Sequence, residues 1–165
     1  MNIFVVNSDP KKAAAYLDDK RVVKGVLEMA QMLSTTMYKY NNKGPYKPTH
    51  ANHPCTKWVS ENLDNYYWAW FYYAALAEEY QKRFGRKHKS WELANTFWDF
   101  SNKLPSGQQT PFPNCARNKA KHIDCTNINN IYQAYHEYLQ KRWQTDKRKP
   151  TWYGQPNEPK WEEES

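Results

Sequence analysis

A chain of 165 residues carrying a net charge of +7 is long enough to bury one core and basic enough to favour an anionic partner. Three cysteines, Cys55, Cys115 and Cys125, cannot all pair, which argues against a disulfide-stapled secreted module and for free thiols in a reducing compartment. No apolar run approaches a membrane span, and the N-terminal IFVV is too short for a signal peptide, so the cytoplasm is the expected location and no membrane partner is expected.

The N-terminal stretch 2–6, NIFVV, reads as an extended segment laid on helices, because no convincing partner strand follows. Ser8 or Asp9 then caps a short helix that has Pro10 in its first turn. A long helix is predicted over 19–38, with Val23, Val26, Leu27, Ala30, Leu33 and Met37 on one face. Residues 41–54 hold three prolines, a glycine and several asparagines and read as a loop. Residues 55–84 read as helix, broken near 62–64 and ended by Gly85. Its YYWAWFYYAALAEEY run is apolar on more than one face, which suits a central helix with neighbours on several sides. A helix over 90–103 with Ser90 as its cap follows, then a long irregular stretch over 104–125. The last helix spans about 129–145 and turns Ile131, Ala134, Tyr135, Tyr138 and Leu139 inward. The expected fold is all-α. It is a compact single-domain bundle of four to five helices over 1–165, with an extended N-terminal segment and an aromatic C-terminal tail. Residues 155–165 of that tail are expected to be flexible or laid on the surface.

Three groups of residues are candidates for chemistry. Arg21, Lys24, Glu28, Gln31 and Thr35 recur every three or four positions and form one polar stripe on the long helix. An amine and a carboxylate on adjacent turns, Lys24 and Glu28, suit a nucleophile with an acid/base partner, although the same stripe is also what a plain solvent face looks like. His50, His53 and Cys55, with Cys115, His122 and Cys125, make a zinc site imaginable. Their spacing matches no standard finger or ribbon, so no metal and no cofactor are expected. His53 instead suits the start of the helix after Pro54, bonding a phosphate or a backbone group. Finally, basic clusters at 82–89, 117–121 and 141–149 sit at helix ends or in loops, where they can converge on phosphates or stay separately solvated. Trp152 and Tyr153 follow the last cluster and are expected to stack on a base more than to fill the core.

The segments MNIFVV, DP, AAAYLDDKRVVKGVLEMAQML, HPCTKW, EEYQKRFGRKHKS, TPFPNC, YQAYHEYLQKRW and PTWY occur in that order. This resembles a family of small proteins of phages and large DNA viruses, which is in turn distantly similar to the phage pyrimidine-dimer DNA glycosylases. The resemblance implies a small helical protein that acts on DNA. It also implies a mechanism in which an amine attacks the sugar C1′, a Schiff base forms and a carboxylate assists. In those enzymes the amine is the α-amino group of a small residue exposed by removal of Met. Here Asn2 follows Met1, and the nearest acid C-terminal to Arg21 on its helix is Glu28. The family does not supply a lysine here; Lys24, the amine this sequence itself places near Glu28, is taken with Glu28 as the expected catalytic pair. Arg21, His53, Lys57, Arg86, Lys119, Trp152 and Tyr153 are expected to bind DNA or a nucleotide. The alternative is a non-catalytic nucleotide binder that sequesters a host immune signal in the host cytoplasm.

Overall fold

The computed structural model describes residues 2–163, and these form an all-α architecture. The six helices are α1 (Pro10–Tyr16), α2 (Asp19–Lys39), α3 (Pro54–Val59), α4 (Leu63–Phe84), α5 (Ala94–Phe100) and α6 (Ile131–Thr145). Only a two-residue antiparallel ladder joins them, β1 (Arg117–Asn118) with β2 (Ile123–Asp124). It lies inside the long stretch that reads as irregular from sequence. None of these helices is long and apolar enough to cross a membrane.

Local chemistry sets the helix ends. Asp9 accepts the Lys11 N–H at 2.9 Å, and Pro10 opens α1 where its missing N–H costs nothing. Asn62 starts α4 by accepting the Asn65 N–H, and Gly85 ends it at φ 73°, a conformation only glycine adopts freely. The 90–103 segment is less regular than its periodicity predicts. It comprises a 3₁₀ turn, α5 and a second 3₁₀ turn, and its cap is His88, whose Nδ1 accepts the Ser90 N–H at 3.0 Å. Ser90 itself is buried.

The core is built of large rings. Tyr66, Tyr72, Tyr73, Tyr135 and Phe97 are among its largest fully buried side chains. Indole N–H groups stitch segments together: Trp58 to Thr110 O, Trp68 to Ser8 O, Trp70 to Ala94 O, Trp152 to Tyr16 O and Trp161 to Val6 O. A buried aromatic keeps its apolar area and still pairs its polar handle, so these rings replace aliphatic packing without leaving orphan donors. α2 packs on α4, where Gly25 lets Leu76 approach; a Cβ on Gly25 would lie 3.1 Å from Leu76 Cδ1. This contact rotates α2 from the expected face. Val22, Val26, Met29, Ala30 and Leu33 are buried, whereas Val23 and Leu27 are exposed at 38% and 39%.

The tail also departs from expectation. Trp152 is buried, edge-on to Trp143 with centroids 5.1 Å apart, so its ring belongs to the core. The physical reason is the turn that follows it. Tyr153 and Gly154 both have positive φ, 53° and 75°, and Trp152 and Gln155 pair across them, which folds the tail back instead of projecting it. Tyr153 remains exposed over the Arg83 guanidinium, 5.2 Å from ring centroid to Cζ. Further on, Trp161 stacks on His136 at 3.9 Å, laying the described part of the tail on the surface; residues 164–165 lie outside the described residues. Replacing Tyr153 with asparagine is expected to leave the melting temperature within about 2–4 °C of the parent. Asparagine favours this turn, which offsets about 0.5–1 kcal/mol of lost cation–π contact at an exposed site. Thermal unfolding followed by circular dichroism checks it, and a larger drop would make the ring structural.

Candidate functional site

The N-terminal part of the polar stripe of α2 borders a partly open cavity. Lys20, Arg21, Lys24 and Glu28 form one wall of a cavity of about 350 Å³. Asn2 and Phe4 of the N-terminal segment and His53 before α3 form a second side. Cys115, Arg117 and Asn118 come from the ladder region, and Tyr138 and Arg142 from α6. Four residues nominated from sequence, Arg21, Lys24, Glu28 and His53, thus meet in one space.

Each wall is held in place. Arg21 is buried, and its Nη1 donates to Asp18 at 3.2 and 3.3 Å and to Asp146 Oδ2 at 3.0 Å. Arg142 donates to Asp146 and to the Tyr138 hydroxyl. Burial raises the Asp146 pKa, but the charges of Arg21 and Arg142 and the Arg21 hydrogen bond outweigh it and hold the carboxyl below its ordinary value. These two arginines are therefore largely neutralised at the back of the cavity. Lys20 and Lys24 are exposed, and neither forms a salt bridge among the described residues. Glu28, half-buried four residues beyond Lys24, is the only carboxylate in the lining among the described residues. Phe4 stacks on Tyr138 with centroids 6.1 Å apart and planes inclined by 22°, giving one side an apolar ring surface.

His53 caps α3 by accepting the Cys55 N–H on Nδ1 at 3.1 Å. Burial, then neighbouring positive charge including that of His50, lowers its pKa. Cys115 is pushed down to about 7 by the adjacent Cys55 thiol, with Arg117 assisting against burial, while Cys55 is pushed up by Cys115 and by burial. A nitrogen of His53 and the sulfurs of Cys55 and Cys115 all lie within 4.8 Å of one another. His50, His122 and Cys125 do not join that group.

The other nominated residues lie elsewhere. Lys57 borders a separate cavity with Thr35 and Thr56. Arg86 donates to the Tyr80 hydroxyl at 3.0 Å beyond the end of α4. Lys119 is exposed on the turn between the two strands and is not in the lining, and neither Trp152 nor Tyr153 reaches it. The sequence clusters at 117–121 and 141–149 did contain wall residues, Arg117 on β1 and Arg142 on α6, but spacing within a cluster does not tell which cation borders a cavity. Phe4 and Tyr138 carried no signal beyond their apolarity. A larger cavity of about 460 Å³ is bounded by Tyr67, Trp68 and Phe71. Its charged groups are mainly acids, Asp9, Asp64 and Glu78, which repel a polyanion.

The chain matches the model of a family described as pyrimidine dimer DNA glycosylase over residues 1–93, more than half its length. No curated protein and no solved structure matches it. The matched segment supplies Asn2, Phe4, the α2 wall and His53, whereas Cys115, Arg117, Asn118, Tyr138 and Arg142 come from beyond it.

Proposed function

Because the chain belongs to the pyrimidine dimer DNA glycosylase family, we propose that its cationic cavity receives one extrahelical nucleotide unit of DNA and breaks the glycosidic bond there. The observation that carries this reading is the convergence of Lys24 and Glu28 in one cavity with Arg21, Arg117 and Phe4. At about 350 Å³ the space lies in the lower part of the range for small-molecule sites, roughly 300–1,000 Å³. That suits a single nucleotide taken out of the stack, whose cost is met by stacking on apolar rings and by contacts to phosphate.

In this reading Lys24 supplies the attacking amine. Its Nζ forms a bond to C1′ as the bond from C1′ to the base breaks, and the base leaves with the bonding electrons and takes up a proton. The sugar ring then opens to a C1′=N Schiff base, and Glu28 carries the proton from nitrogen to the ring oxygen. Glu28 or water then takes a C2′ proton, the C2′–C3′ double bond forms as the 3′ phosphate leaves, and water hydrolyses the Schiff base to free Lys24. Arg117 and Lys20 hold the flanking phosphates, which makes binding fall steeply with salt.

Borohydride reduction tests this directly. DNA bearing an abasic site is expected to yield a covalent protein–DNA adduct, and Lys24→Ala is expected to abolish it. Trapping that persists in Lys24→Ala but disappears when the α-amino group is blocked would transfer the role to the chain terminus, consistent with Asn2 standing in the cavity wall. Absence of any adduct, together with tight binding of a free nucleotide, would favour the sequestering alternative.

A further inference from the structure

We infer that His53, Cys55 and Cys115 form a binding site for one thiophilic divalent cation of the zinc class. Two chain segments far apart in sequence, His53–Cys55 and Cys115, deliver one nitrogen and two sulfurs to a common point, all within 4.8 Å of one another. A tetrahedral zinc centre needs Zn–S about 2.3 Å and Zn–N about 2.0–2.1 Å, so its donor atoms stand roughly 3.5–3.8 Å apart. The side chains therefore need to close by only about an ångström to reach that geometry. Mixed sulfur and imidazole donors select zinc over magnesium or calcium, which take oxygen.

The surroundings fit the ion. Cys115 is half-buried in the cavity lining beside His53, and Cys55 is buried and outside that lining. Asn2 Oδ1 lies 3.6 Å from Cys55 Sγ and offers a fourth donor, unless a water takes that position. Binding displaces one proton from each thiol to solvent, and two thiolates then cancel the charge of the ion. That neutrality matters beside Arg117, which would repel a bare cation. His53 Nδ1 already accepts the Cys55 N–H, so its lone pair is engaged and an ion binding there must displace that bond.

The site stands independently of any DNA chemistry, and its test uses the free protein. Metal-free full-length protein, kept reduced, is titrated with Co²⁺ alone and then with Zn²⁺. One equivalent per chain is expected, with the thiolate-to-cobalt charge-transfer bands and d–d spectrum of a tetrahedral site, both lost on adding Zn²⁺. Cys115→Ser is expected to weaken binding by about a hundredfold or more, since even outer-shell changes cost about 10–100-fold. His53→Asn, which keeps a capping oxygen for α3, is expected to weaken it as well while the metal-free melting temperature stays close to that of the parent. Absence of binding, a cobalt spectrum without sulfur bands, or affinity unchanged by either substitution would overturn the site. So would a Cys55–Cys115 disulfide found by thiol titration in the reduced preparation.

Discussion

Asp19→Ala is expected to lower folding stability by about 3–5 kcal/mol, the usual cost of stranding one partner of a buried charge pair. For a chain of this size that is a fall of roughly 6–20 °C in melting temperature. The Asp19 carboxylate accepts from Thr151 Oγ1 at 2.8 Å, from the Tyr153 N–H at 3.0 Å, from the Gly154 N–H at 2.9 Å and from Arg83 Nη1 at 3.1 Å. Its removal leaves the Arg83 side chain, only 1% exposed, with Glu79 as its remaining carboxylate. Trp152→Ala attacks the same latch from inside the core and is expected to cost about 3–5 kcal/mol. The two changes release one turn, so their sum should exceed the cost of the double variant, which differential scanning calorimetry can measure.

The latch also sets a pH dependence. Burial raises the Asp19 pKa, but the Gly154 and Tyr153 N–H groups, Thr151 and Arg83 outweigh it and hold the carboxyl below its ordinary 3.8. A carboxyl depressed in the folded state stabilises fully above its unfolded value, and that contribution is lost as the pH falls through the folded value. Wild-type stability should therefore decline below pH of about 4, and Asp19→Asn should flatten this acid limb while lowering the neutral plateau. An acid limb of unchanged slope would assign it to Asp146 and other carboxylates.

Glu28→Gln is expected to reduce the single-turnover rate of strand cleavage on dimer-containing duplex by about 10²–10⁴-fold, the usual share of a positioned acid/base group. The amide keeps the size of the side chain and removes the only carboxylate that the described residues give the cavity lining. Affinity for the same DNA should hold or rise, because a negative charge leaves a cationic space. Weaker binding with an unchanged rate would make Glu28 a structural group. A rate within tenfold of the parent would remove it from the chemistry.

The helices were legible wherever sequence fixes local geometry. Asp9 with Pro10, the break before Leu63 and the glycine at 85 each state a boundary in local terms. The inward face of α2 was less legible, because Val22 and Val23 are chemically alike and only the approach of Leu76 to Gly25 decides between them. Spacing alone placed Arg21, Lys24 and Glu28 on one stripe, but it could not tell a cavity wall from a solvent face. That distinction depends on Phe4, Tyr138 and Arg142, brought over from distant segments. Trp152 was misread for a related reason. A polar tail argues for exposed rings, whereas Asp19, more than a hundred residues earlier, supplies the acceptors that turn the tail inward.

The chain origins of the cavity wall also bear on when the site comes into being. Asn2 and Arg142 are at opposite ends of the sequence, yet both border the same space. During synthesis α2 is complete long before α6 exists, and at about 5–20 residues per second the interval from Glu28 to Arg142 lasts roughly 6–23 s. For that time Arg21 lacks Asp146 and Phe4 lacks Tyr138. A nascent or truncated chain can thus be helical and still have no site. In refolding, ligand binding is expected to require the docking of α6 and not helix formation alone.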